Sequence, residues 1–200
     1  MSGDAAQRIE YDVFALADVR QEKYALLAAV IDERLKTFNC AKSDHLQAFA
    51  RGGVRKWEDH GHSRTYVLVT PRHDTVDVAA FFTVGMTALN LEKASASMRK
   101  KLMGNVSLDQ TGAYSIAELA RSDEYTSAQL PGSVILDEAK AVISLARRYV
   151  AGRFVVVDAR EEVFTKLYEP AGFSRIHLAE SPRAMEGVAF VTAGAVIKDW

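Results

Sequence analysis

The sequence predicts a single-domain α/β fold on a mixed, largely antiparallel sheet, and three stretches carry that expectation. The first runs as a strand (Ser115–Ala120), a loop holding Gln129-Leu-Pro-Gly132, an amphipathic helix and a continuous apolar strand, Phe154–Asp158. A strand–loop–helix–strand unit needs a right-handed crossover and parallel pairing. The second is a pair of β-rich runs, Arg64–Thr70 and Val76–Val84, around Pro71-Arg-His-Asp74, which reads as a hairpin. The third is a closing pair, Ile176–Leu178 and Val188–Ala193, around a loop at Pro182. One parallel crossover among antiparallel neighbours makes the sheet mixed.

Composition bounds the rest. Two hundred residues with 48% apolar side chains suit one domain with a sizeable core. A formal net charge of -1 gives no whole-chain case for a polyanionic partner, although a local basic patch is enough to steer one. The single cysteine, Cys40, excludes an internal disulfide, fits a reducing cytosol and reads as a small packing residue rather than a nucleophile. No apolar run is long enough to span a membrane, and Met1-Ser-Gly-Asp-Ala-Ala lacks the basic-then-apolar pattern of a secretory signal. A cytoplasmic protein is the expectation.

Taken in order, residues 1–10 are small and polar with little to bury. Tyr11, Val13 and Ala15 alternate with Asp12, Phe14 and Leu16 as a first strand would. From Asp18, the expected N-cap, the residues Tyr24, Leu27, Ala28, Ile31 and Leu35 fall on one helical face. This strand and helix form a front segment, residues 1–36, whose helix either packs on its own sheet or meets a partner. Ser43–Trp57 is the next helix, with Leu46, Phe49, Ala50 and Val54 inward. Gly52-Gly53 lies inside it, at a cost of about 1 kcal/mol per glycine relative to alanine, so a kink or break is expected. Arg51, Arg55 and Lys56 cluster here, with Arg64 soon after.

His60 and His62 sit in a polar connector without further ligands at metal-binding spacing, so no metal is expected. Leu89–Ser107 is a basic connector carrying Arg99-Lys100-Lys101. In the long helix, Ile135, Leu136, Ala139, Val142, Ile143 and Ala146 recur at three- and four-residue spacings. Gly152 is the expected stop after Arg147 and Arg148. A short helix then ends in Leu167-Tyr-Glu-Pro-Ala-Gly-Phe173. There is no internal repeat or linker, so residues 1–200 read as one domain.

Several of these pieces resemble the GNAT-fold N-acetyltransferases. They are Leu119-Ala-Arg121 entering the loop, Val157-Asp-Ala159 after the helix, and Tyr168-Glu-Pro-Ala-Gly-Phe173. Upstream, Phe38-Asn-Cys40, Leu46, Phe49, His62-Ser-Arg-Thr-Tyr-Val67 and Ala80-Phe-Phe-Thr-Val84 follow the order of the toxin branch, whose members pair with antitoxins and acetylate charged tRNA. The resemblance implies a GNAT-like twisted sheet flanked by helices, with acetyl-CoA as acyl donor. It implies that the Leu119, Ala120 and Arg121 backbone pairs with the pantetheine arm. Gln129, Gly132 and Ser133 would lie at the pyrophosphate, and Tyr168 would protonate the leaving thiolate. It also implies an RNA surface from Arg51, Arg55, Lys56, Arg64, Arg99, Lys100 and Lys101, together with an antitoxin and a homodimer as partners.

The loop departs from the family pattern, Gln/Arg-x-x-Gly-x-Gly/Ala, in which glycine lets the chain approach the phosphates. Here Gly132 is either the first glycine of Gln129–Val134 or the last, with one inserted residue, and Pro131 has no N–H to give. Three readings stay open. One is an N-acetyltransferase of aminoacyl-tRNA. Another is an N-acetyltransferase of a small-molecule or protein amine. The third is a GNAT-shaped module that no longer binds CoA, with Tyr168 a packed core tyrosine and the basic residues a solvated surface.

Overall fold

The computed structural model describes residues 7–92, 94–106, 108–179 and 187–197. Its seven strands lie in the order β1-β2-β3-β4-β5-β7-β6, and the chain divides into two compact units. Residues 1–84 and 118–139 form the first, and residues 85–117 and 140–200 the second.

In the first unit, β1 (Asp12–Ala15) pairs antiparallel with β2 (Arg64–Arg72). Asp18 is not the N-cap of a long helix. It lies inside a single turn, α1 (Leu16–Val19), and after a 3-10 turn at Glu22–Tyr24 the helix α2 (Ala25–Lys36) begins. Burial decides this, because Leu16 and Val19 are both drawn into the core and hold the turn against it. Ile31 and Leu35 of α2 enter the same core.

The second helical stretch starts at Ser43, whose hydroxyl accepts from the Leu46 N–H at 3.3 Å. It runs as α3 (Asp44–Ala48), a π-helical turn at Phe49–Gly53, and α4 (Val54–Asp59). The expected kink or break at the glycine pair is thus a widened turn within a continuing helix. A Cβ at Gly53 would stand 2.6 Å from Phe49 Cδ2, so glycine gives the Phe49 ring room to stack on Phe81 at 6.0 Å.

The hairpin turn is shorter than expected. Pro71 and Arg72 remain in β2, β3 starts at Thr75, and His73 takes the positive φ of 50°. The register slips between Leu68↔Ala80 and Val69↔Val78, which leaves Ala79 as a bulge. Its carbonyl accepts instead from the Ser122 N–H at 2.9 Å.

β3 (Thr75–Asn90) runs on past Val84 and takes Leu89 out of the basic connector. The rest of that connector holds α5 (Ala96–Met103), with the Ser95 hydroxyl capping the Met98 N–H at 3.2 Å. β4 (Gln110–Arg121) follows, and its parallel register with β5 (Phe154–Arg160) takes in Tyr114↔Val155 and Ser115↔Val156. That register ends six residues before β4 does.

The long helix α6 (Gly132–Ala146) stops well short of Gly152. Gly152 serves another purpose, since a Cβ there would meet Tyr114 Cε2 at 2.3 Å. It is a close-approach glycine, not a helix stop. After β5 come α7 (Glu161–Val163) and a π-helical turn at Phe164–Tyr168. β6 (Ser174–Ala179) and β7 (Phe190–Val196) then pair antiparallel. The expected Pro182 loop lies outside the described residues. In the second unit the core gathers Leu89, Leu91, Leu102, Met103, Ala113, Phe154, Val156 and Ile176.

Candidate functional site

The loop between β4 and α6 is built from its end inward. Arg121, the last residue of β4, donates from Nη1 to the Leu130 carbonyl at 2.9 Å. The preceding carbonyl, Gln129 O, accepts from the Ile9 N–H at 3.2 Å. Gln129 closes the loop on itself, because its Oε1 accepts from both the Thr126 N–H at 2.9 Å and the Thr126 hydroxyl at 3.1 Å. Leu130 is buried and anchors the segment. The Val134 N–H bonds back to the Pro131 carbonyl at 3.1 Å, so the helix starts tightly. Gly132 and Ser133 then stand at the N-terminus of α6, where helix geometry leaves amides without intrahelical acceptors and the dipole favours an anion. Gly132 is not among the glycines with positive φ, so no left-handed backbone requires glycine here.

On β4 itself, Ala120 packs into the core of the first unit, while Leu119 and Arg121 are half-buried. The Glu118 N–H bonds to the Thr83 hydroxyl at 3.0 Å.

Tyr168 closes a π-helical turn and is 6% exposed. Phe173 folds back onto its ring edge-on, with centroids 5.3 Å apart, and the Phe173 N–H donates to the Tyr168 carbonyl at 3.1 Å. Gly172 makes the reversal, at a φ of 91° that disfavours an L side chain, although a Cβ would meet nothing within 4 Å. A short π-helical insertion recurs at functional positions because it re-aims a side chain without ending the helix.

The basic residues separate into two kinds. Arg51 donates to the Phe38 carbonyl at 3.0 Å and to Asn39 Oδ1 at 2.6 Å. Arg55 pairs with Asp32, and Arg64 with the buried Glu58 at 2.8 Å. Arg99 binds Asp109 at 2.9 Å and the Glu92 and Ala94 carbonyls. These four guanidiniums staple the chain to itself. Lys56, Lys100 and Lys101 are exposed, and Lys101 reaches the Ser174 hydroxyl at 2.8 Å. His60 and His62 stack on each other on the surface, and no group of three metal-capable side chains occurs among the described residues.

One pair was not legible in the sequence. His45 on α3 meets Glu118 on β4, Nε2 to Oε1 at 2.8 Å, with Glu118 the more buried partner. Burial pushes the Glu118 carboxyl above its usual range, and the hydrogen bond from His45 pulls it partway back. The visible signal was a glutamate inside an apolar strand; the histidine lies too far along the chain to be paired with it by spacing.

No family model and no curated protein matches the chain. Solved structures do. A variant of KacT aligns over 92% of this chain and 94% of its own, with a TM-score of 0.67 at 15% identity. AtaT complexed with acetyl-methionyl-tRNAfMet aligns over 90% and 94%, with a TM-score of 0.64 at 18% identity. An AtaT variant bound to acetyl-CoA and the C-terminus of the antitoxin AtaR aligns over 91% and 92%, with a TM-score of 0.58 at 15% identity. The chain therefore has the GNAT fold of these toxin acetyltransferases, with its mixed, mostly antiparallel seven-stranded sheet flanked by helices.

Proposed function

We propose that the protein is an acetyl-CoA-dependent N-acetyltransferase whose acceptor is the amino group of an aminoacyl-tRNA. The observation that carries the reading is local. A strand delivers Arg121 to a loop carbonyl, and that loop ends in Gly132 and Ser133 at the start of a fifteen-residue helix. This is an anion seat of the kind a pyrophosphate takes. The likeness to toxin structures over almost the whole of both chains supports it.

Bound acetyl-CoA supplies an activated thioester. The chain's own residues do the rest. Gly132 and Ser133 hold the pyrophosphate through backbone N–H groups, with Gln129 keeping their loop closed. The backbone of Leu119, Ala120 and Arg121 holds the pantetheine arm as an added strand. Tyr168 Oη gives its proton to the departing sulfur, and the His45–Glu118 pair, adjoining Leu119 on β4, takes the proton the amine releases. Orientation supplies much of the remaining rate. The lysines Lys56, Lys100 and Lys101 contact tRNA phosphates, with Arg51, Arg55, Arg64 and Arg99 shaping that surface. An antitoxin and a second copy of the chain are the expected protein partners, in the cytoplasm; no helix among the described residues is long and apolar enough to cross a membrane.

A second reading has its own support. The net charge is -1, and five of the seven basic residues above are tied to internal partners, which favours a small-molecule or protein amine as acceptor.

Calorimetric titration with acetyl-CoA, followed by transfer of labelled acetyl to aminoacyl-tRNA or to free amines, tests both. Transfer to charged tRNA is the expected result. Transfer to free amines alone selects the second reading. No heat of binding at all leaves the fold working as a non-catalytic module.

A further inference from the structure

We infer that Ile9 and Tyr11 form a strap that holds the Gln129–Ser133 loop in its anion-accepting shape, making them positioning residues for the cofactor. The inference rests on the acetyl-CoA reading above. Two consecutive loop carbonyls, Gln129 O and Leu130 O, each accept from a donor outside the loop. Arg121 supplies one, from the strand that enters the loop. The other comes from the Ile9 N–H, at the far end of the sequence.

Two residues further on, the Tyr11 hydroxyl donates to Glu138 Oε1 at 2.8 Å, on the second turn of α6. The next residue, Asp12, is already paired with Val69 in the sheet. The segment is therefore fixed to the sheet at one end and to the loop and its helix at the other. Ile9 and Tyr11 are half-buried, while their neighbours Arg8 and Glu10 are exposed. Burial, and then the bond to Glu138, push the Tyr11 phenol up to about 12, so the donor keeps its proton through the neutral range.

The loop has reason to need outside help. It carries one glycine where two would let backbone amides close on a phosphate, and Pro131 offers no N–H. With Gln129 and Leu130 carbonyls drawn away to Ile9 and Arg121, the following amides at Gly132 and Ser133 keep a fixed direction before any ligand arrives. Preorganisation of this sort raises affinity by removing the ordering cost from the binding step.

The test uses the full chain, Tyr11→Phe, and Ile9→Pro, which removes the donating N–H. Amide hydrogen exchange is followed at Leu130 and Val134 without ligand, and affinity is measured for acetyl-CoA and for acetyl-pantetheine, which lacks the pyrophosphate. Tyr11→Phe should speed exchange at both amides about fivefold and weaken acetyl-CoA by a similar factor, the factor one side-chain hydrogen bond carries. Acetyl-pantetheine affinity should not move, whereas a general loss of structure would weaken both ligands. Unchanged exchange in Tyr11→Phe overturns the strap, whether or not Ile9→Pro folds. Faster exchange in a protein whose parent binds no acetyl-CoA keeps the strap as a loop brace and removes the cofactor reading instead.

Discussion

The Gln129–Ser133 loop and the Lys166–Phe173 turn reach order by opposite routes. The turn carries its instructions locally. A π-helical turn presents Tyr168, Gly172 reverses the chain at φ 91°, and Phe173 lands on the tyrosine ring five residues away. The loop closes locally through Gln129 and Thr126 but is also tied from elsewhere, through Ile9 on the Gln129 carbonyl and Arg121 on the Leu130 carbonyl. A segment held by its own neighbours can be read in a short window of sequence. One held by distant donors looks degenerate until the chain is folded.

Substitutions at three points bear on that contrast. Tyr168→Phe should lower turnover about a hundredfold, the typical yield of a proton-transfer group, while acetyl-CoA affinity and melting temperature hold. Unaltered turnover with the true acceptor would reduce the turn to packing. Gly132→Val should weaken acetyl-CoA by at least about tenfold, because a side chain at the helix start blocks close approach, and calorimetry measures it. Stability there should stay within about 1–2 kcal/mol of the parent, since a half-exposed loop residue carries little packing.

Gly172→Ala should show the reverse pattern. Nothing crowds a Cβ at 172, yet the positive φ costs about 1–3 kcal/mol, to be read from denaturant unfolding. If Gly132→Val proves the more destabilising of the two, the contrast between loop and turn is inverted.

Glu118 tests whether a carboxyl on β4 behaves as buried. Its folded pKa is raised, mainly by burial, so the folded state holds a proton that the unfolded chain has already released. Stability from this group is full below about 4.3, the unfolded glutamate value, and is lost as pH rises through the raised folded value. Glu118→Gln should flatten that part of the stability-versus-pH curve. A curve identical to the parent's would show that the carboxyl is solvated.

The smallest effect belongs to the exposed lysines. Replacing Lys100 and Lys101 with alanine should lower the salt dependence of tRNA binding by about one to two phosphate contacts in a filter or fluorescence titration. The same change at Arg99 should cost stability as well, because its guanidinium ties Asp109 and two carbonyls together. A parent whose tRNA binding ignores salt would remove the RNA surface altogether.

Sequence alone determined what depends on short-range pattern and composition. The apolar stripe from Ile135 to Ala146 gave the long helix, and the unbroken run Phe154–Val157 gave the buried part of a strand. The β-rich runs on either side of Pro71 gave the hairpin, and the family resemblance of Tyr168-Glu-Pro-Ala-Gly-Phe173 pointed to the turn and its tyrosine. These signals repeat every two to four residues, so no distant contact is needed to read them. Tertiary structure decided the rest. The helix after β1 starts at Ala25 and not at Asp18 because burial of Leu16 and Val19 overrides a good capping residue. Gly152 is set by the ring of Tyr114 and Glu118 by His45 across the unit. Ile9 reaches Gln129 through tertiary structure, 120 residues along the chain. Partners so far apart in the chain leave no periodic trace, and packing alone brings them within a hydrogen bond of each other.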